Sequence, residues 1–148
     1  MKRILCVDDE EGIRKVSQRC LRSENVDTLE NAKIVVDTAE NGKVALAKIM
    51  EGTTYDLLIT DHNMPEMTGL ELLAELQKLQ VTFPRLVYST PQTDSIYFHE
   101  QVQALGGLGL VIKPDFVYIQ IAKELLEGNS PTLEKYFQKE YPSPLSRT

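Results

Sequence analysis

Five short apolar runs, each followed by a segment of helical period, leave this chain few ways to fold. The runs are residues 4–7 (ILCV), 34–38 (IVVDT), 56–60 (DLLIT), 85–89 (RLVYS) and 108–112 (LGLVI), the last weakened by Gly109. Each is too short for a helix and too continuously apolar for a strand with one wet face, so each reads as a strand buried on both sides. After the first run, Ile13, Val16, Ser17, Cys20 and Leu21 share one helical face. Further helices are expected over residues 42–50, 69–79, about 93–105, and 116–127, the last opened by Pro114-Asp115. Residues 22–33 are polar and read as a long loop. Strands alternating with helices predict an α/β domain whose mostly parallel sheet is covered on both faces.

The chain divides at about residue 128, with one domain over 1–128 and an extension over 129–148. Ser130-Pro131 is a good helix start, a capping hydroxyl followed by proline at the first helical position. Leu133, Tyr136, Phe137 and Tyr141 then recur at helical spacing until Pro142 and Pro144 stop the pattern. The extension is expected to be a short amphipathic helix that packs back on the domain, or supports a dimer or a partner, and is too short for an effector domain.

Composition excludes several classes. A formal net charge of −6 argues against binding nucleic acid through a basic surface. No apolar stretch reaches membrane-spanning length, and only four apolar residues follow Met1-Lys2-Arg3 before Asp8, too few for a signal peptide. Cys6 and Cys20 lie in apolar patterns and are expected to be buried thiols rather than a disulfide or metal ligands. A reducing cytoplasm is the expected location.

The candidate chemistry lies where the apolar runs end. Asp8 and Asp9 follow the first, Asp61 the third, Ser89 closes the fourth and Lys113 follows the fifth. In a doubly wound sheet, ligands gather at the carboxyl ends of the strands, where strand order reverses. If the first and third strands are neighbours, three carboxylates meet a hydroxyl and an ammonium. Crowded carboxylates repel, and an oxygen-only set suits Mg²⁺, which can hold a phosphoryl group while a carboxylate acts as nucleophile. Each residue has a plainer use. The Asp8-Asp9-Glu10 run can cap the first helix, Ser89 can cap the fourth, and Asp61 and Lys113 can serve as turn residues. His62 is expected to be an exposed loop residue. The shared edge is what favours a site.

CVDDEEGIR, DLLITDHNMPEMTGLELL, RLVYST and VIKP, in this order and spacing, resemble the receiver domain of two-component response regulators. The resemblance implies a flavodoxin-like fold with strand order 2-1-3-4-5 and a phospho-acceptor at Asp61. It also implies a Mg²⁺ site made by Asp8, Asp9, Asp61 and the backbone carbonyl of Asn63, with Asp9 the more direct ligand. Lys113, before a typically cis proline, is the lysine that contacts the phosphoryl group, and Ser89 is the switch hydroxyl. Three positions depart from the family's pattern. Leu110 stands where a Tyr or Phe often precedes the lysine by three residues, Thr90 stands where Ala or Gly is usual, and Pro91 where a polar residue is common.

The expected function is a stand-alone receiver. It takes a phosphoryl group from a histidine kinase or phosphotransfer protein and signals to a downstream protein. Dimerisation through the fourth helix, fifth strand and fifth helix, or through the extension, goes with that reading. Two alternatives are a receiver-like interaction module that is not phosphorylated, and a hydrolase using an aspartyl phosphate on external substrates.

Overall fold

The computed structural model describes residues 1–22, 33–90 and 94–128. Along them run β1 (Lys2–Val7), α1 (Glu11–Leu21), β2 (Ile34–Ala39), α2 (Gly42–Met50), β3 (Leu57–Thr60), α3 (Gly69–Lys78), β4 (Arg85–Ser89), α4 (Ser95–Ala104), β5 (Leu110–Ile112) and α5 (Val117–Leu126). The strands form one parallel sheet in the order β2-β1-β3-β4-β5, the order expected for this fold. Strand order therefore reverses between β1 and β3.

The pleat sorts each apolar run into two cores. Ile4, Cys6, Leu57, Ile59, Leu86, Tyr88 and Val111 pack with Leu21 of α1 and with Tyr118 and Ile121 of α5. Leu5, Val7, Leu58, Val87 and Leu110 face the other way, onto Ala45, Leu72, Leu73, Leu76, Phe98 and Val102 of α2, α3 and α4. Leu58, Leu72, Leu73, Leu76 and Leu86 are completely buried. Each contributes on the order of 1.5–3 kcal/mol relative to an exposed position.

Element ends differ from expectation in informative ways. Asp56 lies outside β3, and its carboxylate instead accepts the Arg3 N–H at 2.8 Å. β5 is shorter than its apolar run, consistent with the poor strand preference of Gly109. Cys20 is exposed rather than buried, because the α1 stripe runs through Ser17 and Leu21 and leaves Cys20 on the flank. Its position on a helical wheel gave an angle, not the location of a neighbour. Most of the 22–33 loop, Pro91, the expected start of the fourth helix at Thr93, and the extension with Leu133, Tyr136, Phe137 and Tyr141 lie outside the described residues.

Candidate functional site

Parallel strands deliver Asp8, Asp61, Ser89 and Lys113 to one edge, and ladder bonds fix the backbone where they emerge. The Asp8 N–H donates to Ala39 O at 3.1 Å, the Asp61 N–H to Val7 O at 2.8 Å, and the Lys113 N–H to Ser89 O at 2.8 Å. Asp8, Asp61 and Ser89 are buried at 4%, 5% and 0% exposure. Sequence reasoning placed these four on one edge, and their side chains meet there.

The two Asp61 oxygens have different company. Oδ1 accepts the Ser89 hydroxyl at 2.7 Å and the His62 backbone N–H at 2.7 Å. Oδ2 accepts from Lys113 Nζ at 3.3 Å, and the same ammonium donates to Asp8 Oδ2 at 2.8 Å. Asp8 Oδ1 also accepts the Glu10 N–H at 2.9 Å. Burial pushes the Asp8 carboxyl above its ordinary value, more than the Lys113 hydrogen bond draws it down. Burial works the other way on Lys113, but the bond to Asp8 and the nearby Asp61 charge outweigh it, so its pKa is raised. Lys113 is held charged between two acids.

The two capping uses fail on geometry, while Lys113 does stand in a turn before α5 and still reaches both acids. Glu10, not Asp8 or Asp9, is the N-cap position of α1, and no side chain caps it. Asp94 caps α4 by accepting the Tyr97 N–H at 3.0 Å, which leaves Ser89 to Asp61. Asp9 is exposed at the rim. Ligand oxygens of Asp8, Asp9 and Glu10 lie within 4.8 Å of one another, an oxygen-only set that could hold a divalent cation; Asp61 is outside that set and meets Asp8 through Lys113. Asn63 is exposed at the mouth, its Nδ2 donating to Thr90 Oγ1 at 3.1 Å.

The loop after Asp61 is locked to α3. Thr68 and Glu71 form a capping box, each side chain bonded to the other residue's backbone N–H. The Gly69 N–H donates to His62 O at 3.0 Å. A Cβ on Gly69 would collide with the Asp61 carbonyl oxygen, so only glycine lets the helix start this close to the acceptor. His62 is half-buried rather than exposed. Its ring meets Phe98 edge-on at 4.7 Å, and Nδ1 accepts the Leu70 N–H at 3.4 Å.

Other neighbours escaped sequence reasoning. Arg14 Nη1 donates to the Asp8 carbonyl at 2.7 Å, a contact across a strand-to-helix turn that no short motif announces. Tyr88 lies 5.7 Å beneath Lys113 Nζ, and its place next to Ser89 with period-two alternation was the available signal. A cavity on the α1 side of the carboxylates, lined in part by Asp8, Arg14, Ser17 and Asp61, holds about 10 Å³, room for a single water.

The sequence model of the response regulator receiver domain matches residues 4–120. The chain belongs to the response regulator receiver family. A protein-glutamate methylesterase/protein-glutamine glutaminase of Treponema denticola is 33% identical over 112 residues, 76% of this chain but 28% of that protein. The receiver thus spans little more than a quarter of that relative. The two-component response regulator ORR41 of Oryza sativa is 35% identical over 91 residues, 61% of this chain and 67% of that one. Among solved structures, the response regulator TrrA of Thermotoga maritima in complex with Mg(2+)-BeF superposes with a TM-score of 0.65 at 29% identity. The superposition covers 86% of this chain and 98% of that one. The receiver also has the cis Lys113–Pro114 bond implied by the resemblance. Among the described residues no helix is long and apolar enough to cross a membrane.

Proposed function

We propose that this receiver is a phosphorylation-operated switch with Asp61 as acceptor. The observation that carries the proposal is the bonding of Asp61 to both Ser89 and Lys113, with Asp8 on the far side of the ammonium. An Asp61 carboxylate oxygen forms the new O–P bond while the P–N bond to the donor histidine breaks, its electron pair leaving with the imidazole. Lys113 keeps positive charge beside the transferred group, and the Ser89 hydroxyl turns from Oδ1 to a phosphoryl oxygen. Asp8, Asp9, Asp61 and the Asn63 carbonyl are the ligands we assign to Mg²⁺, which when bound supplies neutralising charge to the phosphoryl oxygens. That TrrA, 29% identical, was solved in complex with Mg(2+)-BeF supports a Mg²⁺-dependent reading of this receiver.

The donor is a histidine kinase or histidine phosphotransfer protein, and the exchange belongs in the cytoplasm. Binding of the phosphoryl group shifts the population between two arrangements of the domain, read by a downstream protein or a second copy on the face of α4, β5 and α5. Residues 1–128 form the switch and 129–148 an extension that tunes this contact.

A second reading draws on the Asn63–Thr90 bond, which joins the loops after β3 and β4 and fits an interaction module closed to phosphodonors. One assay separates the two. Incubation with Mg²⁺ and acetyl phosphate adds one phosphoryl mass to the wild type and none to Asp61→Asn or in excess chelator. Absence of the adduct, or its persistence in Asp61→Asn, overturns the proposal.

A further inference from the structure

Leu110 is buried and has no ring to rotate, so the aromatic often found three residues before the lysine cannot report the state of the acceptor here. A different connection leaves Asp61. The His62 backbone N–H donates to Asp61 Oδ1 at 2.7 Å and approaches Ser89 Oγ at 3.4 Å, so its peptide moves with the oxygen that Ser89 also holds. The His62 ring meets Phe98 of α4 edge-on, 4.7 Å between centroids at 71°. Phe98 is 6% exposed and packed in the same core as Leu72, Val87, Val102 and Leu110. A ring in such a core does not yield locally; it carries its backbone with it or holds it still. Next to Phe98, His99 accepts the Leu110 backbone N–H on Nδ1 at 3.1 Å. Consecutive residues of α4 thus touch the neighbour of the acceptor and the first residue of β5.

We infer that His62 and Phe98 form the link by which the state of Asp61 sets the position of α4, with His99 handing the displacement to β5 at Leu110. The inference deepens the switch reading, which supplies phosphorylation as the input, but the link itself is a property of the fold. Whatever changes at Oδ1 shifts the His62 peptide, the ring follows, and Phe98 transmits the push to the helix. The side chains that carry this push lie on the face of the sheet covered by α2, α3 and α4, as Leu110 does.

Amide signals of residues 95–104 and of Leu110 in ¹⁵N-labelled full-length protein provide the test. Two inputs are applied separately. One is the substitution Asp61→Asn, which needs no phosphodonor. The other is acetyl phosphate with Mg²⁺, with the adduct followed by mass. Both are expected to shift the α4 and Leu110 amides of the wild type. In a Phe98→Leu background those responses should shrink to about half or less, while the amides of Ser89 and Lys113 still respond. His62→Leu removes the other ring of the pair and should give the same loss, and Phe98→Tyr should restore the response. Full-sized α4 responses in both ring-deletion variants overturn the link, as does a wild type in which Asp61→Asn leaves α4 unmoved. If the wild type gains no phosphoryl mass, the switch reading fails, and the Asp61→Asn input still decides the link.

Discussion

Lys113 illustrates how much a single residue carries at this site. Its side chain is 9% exposed and shared between Asp8 at 2.8 Å and Asp61 at 3.3 Å, so removing it leaves two buried carboxylates facing each other. Lys113→Ala is expected to lower unfolding free energy by about 3 kcal/mol in urea titrations at neutral pH. Part of that loss should return on adding Mg²⁺, which replaces the missing positive charge. The folded-state pKa of Lys113 is raised, so its contribution is complete below the unfolded value of 10.5 and disappears as pH rises through the folded value. The wild type should therefore lose stability more steeply on that alkaline limb than the variant, which keeps the decline owed to the Cys6 thiol and the Tyr55 hydroxyl, both also raised by burial. Cys6 takes no part in the chemistry of the site: burial pushes its thiol up to about 12, which keeps it protonated and unreactive at neutral pH.

At the scale of elements, the start of α3 and the seam between α4 and β5 are the sensitive joints. Gly69 lets α3 begin against the Asp61 carbonyl, and Gly69→Ala forces the acceptor loop away from the helix. We expect a cost of about 1–3 kcal/mol in chemical denaturation, typical of overpacking, together with slower phosphoryl uptake from acetyl phosphate. The α4–β5 seam depends on a neutral His99, whose Nδ1 must accept the Leu110 N–H. Burial lowers the His99 pKa below 6.5, so the unfolded chain binds protons more readily than the folded one as pH falls past that value. Stability should therefore decline from pH 7 to pH 5, and His99→Gln should flatten the decline in a series of urea midpoints. His62, also lowered by burial, is expected to keep part of the slope.

The whole molecule gathers negative charge at one sheet edge while carrying a formal net charge of −6. A divalent cation that binds only the folded form stabilises it by mass action, about 2.7 kcal/mol at a hundredfold excess over Kd. Thermal melts should therefore shift upward with MgCl₂ and not with NaCl of equal ionic strength. Asp9→Asn should suppress the shift while changing stability little in metal-free buffer, because Asp9 is exposed.

Alternation of apolar runs with helical periods was sufficient to anticipate a parallel sheet covered on both faces, since burial on both sides of a strand demands continuous apolar sequence. The runs also placed Asp8, Asp61, Ser89 and Lys113 at strand ends, because parallel strands must all finish on one edge. Local pattern could not tell which oxygen of Asp61 faces Ser89, or that Lys113 joins two acids. Nor did it tell that His62 is half-buried against Phe98 while Cys20 points outward. Those facts depend on what lies across a gap of many residues, and helical or strand period specifies only a direction. Fold class and the reactive edge follow from local apolar pattern, because a strand buried on both faces must be continuously apolar and parallel strands end together. Which side chains touch at that edge follows from the packing of elements far apart in the chain, which no local period encodes.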